Sequence, residues 1–193
     1  MAKVANPQGK GGDLLTTHWL PVIKLQKKPE QQITFDYLAS MLVLSAEFSF
    51  KPVPGTQYFL YLWKGTLRLS LIPFVKKPTG SIDPIAQCEL RRDLTWQLDF
   101  LSRAQLSPKV IQFIEAFSEK FADHLDKDVT IKETLPFYEA ELPFYRRLYA
   151  AGLAKSLSLS LQQSRLENKK ASRFIRGNLL SDSQKSSIEV TGA

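Results

Sequence analysis

The stretch QYFLYLWKGTLRLSLI, residues 57–72, decides the fold class. Two apolar runs flank Lys64-Gly65, a two-residue link of the kind that tight β-hairpins use. Pairing Trp63 with Thr66 sets the register, and side chains then alternate between the two faces of the hairpin. One face is entirely apolar: Tyr58, Leu60, Leu62, Leu67, Leu69 and Leu71. The other face carries three aromatic residues and an arginine: Phe59, Tyr61, Trp63 and Arg68.

Two further strands extend this hairpin. Ile85–Leu90 and Leu94–Leu98 are short apolar runs separated by Arg91-Arg92-Asp93, which predicts a second turn. The economical arrangement is a four-stranded antiparallel meander, in which Trp96 lies buried with the apolar face of the hairpin.

Helices are predicted on both sides of this strand region. Residues 30–48 are apolar around almost the whole helical circumference, which indicates a largely buried helix. Ser107-Pro108 is a helix cap followed by a first-turn proline, and an apolar stripe follows it. The tetrapeptide Leu-Pro-Phe-Tyr occurs at residues 135–138 and again at 142–145, and its second proline predicts a long helix from about Pro143.

These elements predict an α+β fold: a four-stranded antiparallel sheet packed by helices, with basic N- and C-terminal extensions. We expect a flexible basic arm over residues 1–12, a single domain over 13–165 and a basic extension over 166–193. No apolar signal region and no run of about 18 apolar residues occurs, which predicts a cytoplasmic protein without integral membrane association. The single cysteine, Cys88, agrees with a reducing compartment and is expected in the core.

Positive charge is concentrated at the two ends of the chain. Residues 1–28 contain five Lys or Arg and one acid, and residues 155–193 contain seven Lys or Arg and three acids. The residues between hold fourteen basic and fifteen acidic side chains, while the whole chain carries +7 at pH 7. Basic surfaces of this kind favour polyanions, because Lys and Arg displace counterions from phosphate.

A basic ridge is the sharpest pattern within the long helix. If that helix continues to Arg176, one face of it carries a residue every three or four positions over about 44 Å, at about 1.5 Å per residue. In order, these residues are Arg147, Ala151, Lys155, Ser158, Gln162, Arg165, Lys169, Arg173 and Arg176. The predicted nucleic-acid-binding residues on the ridge and the arm are Lys3, Lys10, Arg147, Lys155, Arg165, Lys169, Lys170, Arg173 and Arg176. The alternative is that the ridge is only a solvated polar face.

The aromatic face of the hairpin is a second candidate surface. Aromatic rings and an arginine on a sheet stack unpaired bases or receive a protein partner. The competing interpretation, which we favour, is that the helix over residues 30–48 covers this face, because three aromatic residues would make a large exposed patch.

Catalytic signatures are weak by comparison. Besides acids, the chain offers only His18, His124 and Cys88 as reactive side chains, at unrelated positions. We therefore predict no catalytic residues, no metal site and no cofactor.

The segment from Pro52 to Trp96 resembles an uncharacterised family of domains of unknown function found in bacteria and eukaryotes. The residues that carry the resemblance are Pro54-Gly55, Tyr58, Leu60-Tyr61, Leu69-Ser70-Leu71-Ile72-Pro73, Leu90 and Asp93-Leu94-Thr95-Trp96. They are mostly core and turn residues, so the resemblance implies a fold rather than a chemistry.

The leading functional hypothesis is a non-enzymatic accessory protein that binds structured RNA, on a ribosome or another ribonucleoprotein. The alternative is an adaptor whose protein partner docks on the aromatic face or on the Leu-Pro-Phe-Tyr repeat. An enzyme of unfamiliar type and attachment to a membrane surface through the basic helix also remain open. The sequence does not indicate the oligomeric state.

Overall fold

A computed structural model describes residues 27–73, 82–136 and 142–175. The helices in this part of the chain are α1 (Glu30–Ser45), α2 (Pro108–Leu125) and α3 (Phe144–Gln163). The strands are β1 (Gln57–Trp63), β2 (Thr66–Ser70), β3 (Ile82–Leu90) and β4 (Trp96–Phe100). Two short 3₁₀ helices cover Ile131–Thr134 and Ala171–Phe174. The predicted α+β fold with a four-stranded antiparallel sheet is confirmed.

The hairpin forms with the predicted register. Trp63 pairs with Thr66, and Lys64 and Gly65 take positive φ angles of 49° and 81°, as a tight two-residue turn requires. The second strand is shorter than predicted, because the Ser70 hydroxyl accepts a hydrogen bond from the amide of Ile72 at 3.0 Å. The predicted contact of Leu71 with the apolar face is therefore wrong, and Leu71 is 52% exposed.

The strand order corrects the predicted meander. The order across the sheet is β2-β1-β3-β4, so β3 pairs with β1 and not with β2. Both neighbours are antiparallel to β1, and the link between β2 and β3 is consequently a crossover. The strand predicted from Leu94 begins at Trp96, because the turn extends over residues 91–95 and Leu94 takes a φ of 63°.

The apolar face of the sheet forms the core together with α1 and α3. The helix predicted over residues 30–48 is confirmed as largely buried, but it ends at Ser45 because Glu47 leaves it to bridge with β2. Helix α1 packs against β4 and α3, and the Ser40 hydroxyl accepts a hydrogen bond from the Trp96 amide at 2.9 Å. Trp96 is 2% exposed and meets the Tyr58 ring edge to face, which confirms its predicted burial.

Helix α2 begins as predicted. The Ser107 side chain accepts a hydrogen bond from the Val110 amide, and Pro108 occupies the first turn. Its apolar stripe reaches the core through residues that include Ile114 and Phe121, and Phe121 packs edge to face on Tyr37 of α1.

The long helix begins where the sequence predicts but ends earlier than the ridge requires. Helix α3 follows Pro143 and ends at Gln163. The chain then turns back into the body, where Ala171 and Phe174 are buried. The described residues 166–175 therefore belong to the folded domain, which corrects the predicted boundary at residue 165. The predicted arm and the rest of the predicted extension lie outside the described residues.

Within the described ranges, no helix combines the length and the apolar character needed to cross a bilayer.

Candidate nucleic-acid interface

The end of α3 breaks the predicted ridge. The amide of Arg165 bonds to the Gln162 carbonyl at 3.0 Å, and the amide of Leu166 bonds to the Leu161 carbonyl at 2.8 Å. Arg165 takes a φ of 57° between them. These two bonds around a left-handed residue form a Schellman helix end, with arginine at the position that glycine usually occupies. A continuous helical ridge from Arg147 to Arg176 is therefore wrong.

The predicted basic residues fall into two groups. Four are exposed, and no ion pair joins them to a carboxylate among the described residues: Arg147, Lys155, Arg165 and Lys169. Lys170 instead pairs with Asp128 at 2.6 Å, and Arg173 pairs with Glu30 at 3.1 Å. Lys3, Lys10 and Arg176 lie outside the described residues.

Residues distant in sequence meet beside the end of α3. The Ser164 hydroxyl donates a hydrogen bond to the Lys28 carbonyl at 2.8 Å. The ion pair between Arg173 and Glu30 joins the same two segments a second time. The start of the described chain and the C-terminal end of α3 consequently lie side by side. Lys27 and Arg165 are the sequence neighbours of Lys28 and Ser164, the two residues that form this hydrogen bond.

A buried ionic network holds this junction to the sheet. Asp36 of α1 has a side chain that is 1% exposed, and it accepts hydrogen bonds from Lys28 at 2.6 Å and Arg91 at 2.9 Å. Gln32 donates a further bond to Asp36 at 2.7 Å. Lys28 also bonds Asp93 at 2.8 Å, so α1 and the turn between β3 and β4 share one cation. We call this set of Lys28, Asp36, Arg91 and Asp93 the ionic network.

The protonation behaviour of the network follows from its contacts. Burial opposes the charged form of Asp93, but hydrogen bonds from Lys28 and Thr95 outweigh it and lower the pKa of that carboxyl below 3.8. Burial likewise opposes the charged form of Lys28, while attraction to Asp36 and the hydrogen bonds to both carboxylates raise the pKa of the amine above 10.5. Each carboxylate oxygen has at least one donor. The network is thus a charge-balanced tie between elements.

The sequence interpretation missed this network. Its one local signal is Asp36, a carboxylate inside a helical stretch that is otherwise almost all apolar. A buried carboxylate requires cationic or hydrogen-bonding partners, and the partners at Lys28, Arg91 and Asp93 come from other segments.

The aromatic face of the sheet lies opposite α1, so the expectation that this helix covers it is wrong. The core cluster that contains α1 includes Tyr58 and Leu60 but not Phe59 or Trp63. Phe59 is nevertheless only 7% exposed, which leaves its ring no room to stack on a base. Tyr61 and Trp63 are half-buried.

Trp63 already has cationic partners. The Arg68 guanidinium lies 3.9 Å from the centre of the Trp63 ring, and the Lys64 amine lies 5.1 Å from it. Arg68 also pairs with Glu47 at 3.2 Å. The Trp63 ring is therefore already engaged by cations within the protein itself.

Apolar exposure is concentrated elsewhere. The exposed large apolar residues of the described chain are Val53, Leu71 and Ile72, and the last two are consecutive at the end of β2. In the Leu-Pro-Phe-Tyr repeat, Leu135 and Pro136 are buried and Leu142 is half-buried. Residues 137–141 and the side chains of Phe144 and Tyr145 are not among the parts of the chain that the structure describes.

Cys88 and His124, the candidate reactive side chains that the structure describes, are both engaged within the fold. Cys88 is 2% exposed, which confirms its predicted core position, and burial raises the pKa of its thiol. Nε2 of His124 lies 3.0 Å from the Thr134 carbonyl. The described residues contain no group of three or more His, Cys, Asp or Glu side chains placed to bind a metal. His18 lies outside them.

Comparison with family models, with curated proteins and with solved structures found no match to this chain.

Proposed function

We propose that this chain is a non-enzymatic accessory protein that binds structured RNA, acting in the cytoplasm on a ribosome or another ribonucleoprotein. The observation that carries this proposal is a set of exposed cations on α3 and at its end that form no ion pair with any carboxylate of the described residues: Arg147, Lys155, Arg165 and Lys169. Such side chains are free to exchange their counterions for phosphates.

The charge balance of the surrounding chain supports a polyanionic partner. Residues 29–154 carry nearly equal numbers of acids and bases, so the excess charge lies at the ends. The structure places much of the C-terminal excess on the body, since residues 155–175 hold five Lys or Arg and one Glu. Residues 176–193 hold two basic and two acidic side chains. The proposed interface is therefore a folded surface whose cations keep a fixed spacing.

Binding without catalysis agrees with the state of the buried acids. Every carboxylate oxygen of Asp36 and Asp93 accepts at least one hydrogen bond from the protein, and a carboxylate engaged in this way is poorly suited to accept a substrate proton.

Fluorescence anisotropy with a labelled RNA hairpin tests the proposal. The wild-type protein should bind with an affinity that falls steeply between about 50 and 200 mM salt. A variant with Arg147→Gln, Lys155→Gln, Arg165→Asn and Lys169→Gln should bind more weakly. It should also flatten the dependence of log affinity on log salt by about 3 units, at somewhat under one unit for each lost phosphate contact. Asparagine is chosen at position 165 because it tolerates positive φ.

Absence of hairpin binding by the wild-type protein would overturn the proposal. An unchanged salt slope in the variant would remove this surface from it. Melting temperatures of both proteins should agree within a few degrees, since all four side chains are exposed.

A protein-binding adaptor is the second candidate, and one observation favours it. Leu71 and Ile72 are 52% and 67% exposed and adjacent, which is the kind of anchor that a protein partner covers. Affinity purification with and without nuclease distinguishes the two functions. Partners that survive nuclease but are lost with Leu71→Ser and Ile72→Ser would favour the adaptor, and partners released by nuclease would favour RNA.

A further inference from the structure

The cations at the junction of the two chain segments differ in what they contact. Lys28, Lys170 and Arg173 are each within 3.1 Å of a carboxylate oxygen. Lys27, Arg165 and Lys169 are exposed, and no carboxylate of the described chain forms an ion pair with them. Lys28 and Arg173 therefore help to hold the two segments together, whereas Lys170 forms a solvent-exposed pair with Asp128. We call Lys27, Arg165 and Lys169 the available cations.

The available cations are held at defined positions. Lys27 precedes Lys28, which the ionic network and the Ser164 hydroxyl fix in place. Arg165 occupies the left-handed position of the Schellman helix end. Four residues later, the Lys169 amide donates a hydrogen bond to the Leu166 carbonyl at 3.0 Å. Backbone constraints of this kind lower the entropy lost when a ligand binds.

The acids close to the junction cancel only part of this charge. Glu30 pairs with Arg173 and Asp128 pairs with Lys170. Glu167 adds one negative charge between Arg165 and Lys169 in sequence. Lys27, Arg165 and Lys169 outnumber it, so the junction keeps an excess of positive charge.

We infer that Lys27, Arg165 and Lys169 form one phosphate-binding corner, at which a single RNA backbone contacts both the start of the described chain and the end of α3. This inference rests on the proposed function and specifies where on the molecule the RNA lies. Arg147 is a separate contact, since eighteen residues of mostly helical chain place it roughly 25 Å from Arg165.

The test compares two variants with the same loss of charge. The corner variant carries Lys27→Gln, Arg165→Asn and Lys169→Gln. The control variant carries Arg103→Gln, Lys109→Gln and Lys120→Gln, which removes one arginine and two lysines from exposed positions on α2 and the loop before it. Arg103 loses only an exposed pair with Glu115, and such pairs contribute little to stability. Both variants are titrated with the same labelled RNA hairpin over a range of salt concentrations.

The corner variant should flatten the salt slope by about 2 to 3 units, whereas the control variant should change it by less than about half a unit. Equal losses in the two variants would overturn the corner while leaving RNA binding in place, because the charge would then act without a defined location. Failure of the wild-type protein to bind the hairpin would overturn the proposed function and the corner together. Circular dichroism and thermal melting identify any variant whose loss arises from unfolding.

Discussion

Substitution of Asp36 by Asn should destabilise the protein strongly, because it removes the central charge of the ionic network. The Asp36 side chain is 1% exposed, whereas Lys28 and Arg91 retain 17% and 32% exposure. Loss of one partner of a buried pair typically costs 3–5 kcal/mol. Lys28 keeps Asp93, and Arg91 keeps Gln97 and part of its hydration, so we expect about 3 kcal/mol, at the lower end of that range.

Urea denaturation followed by tryptophan fluorescence measures this cost. Trp96 lies in the core and reports global unfolding. Asp123→Asn is the matched control, because Asp123 is exposed on α2, and its free energy of unfolding should stay within about 0.5 kcal/mol of the wild type. A value for Asp36→Asn as small as that of the control would refute the reasoning, since it would mean that the buried carboxylate does not hold these elements together.

Three further outcomes are expected. Trp96→Ala should cost about 3–5 kcal/mol in urea denaturation, and an unchanged melting temperature would contradict its packing under the sheet. Gly152→Ala should lower the free energy of unfolding by about 1–3 kcal/mol, because a Cβ at this position would lie 2.6 Å from Cδ1 of buried Leu94. In a Leu94→Ala background this loss should nearly vanish. The stability of the protein should fall as the pH drops below about 4. The pKa of Asp93 in the folded protein lies below its ordinary value of 3.8, so the charged carboxylate stabilises the fold above that pH and protonation removes this contribution. The Asp93→Asn variant should therefore show a shallower acid decline, and an identical decline would argue against this assignment.

Local signals in the sequence were sufficient for the hairpin and for α2. The register around Lys64-Gly65 depends on a two-residue turn and on alternation of side chains, and both are read within sixteen residues. Ser107 and Pro108 likewise define the start of α2 through their own backbone requirements.

The errors arose where distant residues decide the structure. Pairing of β3 with β1 depends on contacts across the sheet that no local pattern contains. Helix α3 ends at Gln163 because Leu166 turns back toward Leu161, although Arg165 lacks the usual glycine signal. For the candidate interface, the basic residue types were visible in the sequence, but which of them form ion pairs depends on acids from other segments, such as Glu30 and Asp128.

Photochemical cross-linking of a thiouridine-containing RNA hairpin to the wild-type protein, with the attachment sites identified by mass spectrometry, tests the central claim most directly. The account predicts cross-links at Lys27 and within residues 165–169. It predicts no cross-links at Lys109 and Lys120, the control residues on α2. Cross-links concentrated on Tyr61 and Trp63 of β1, with none at the corner, would place the RNA on the aromatic face of the sheet and contradict the account.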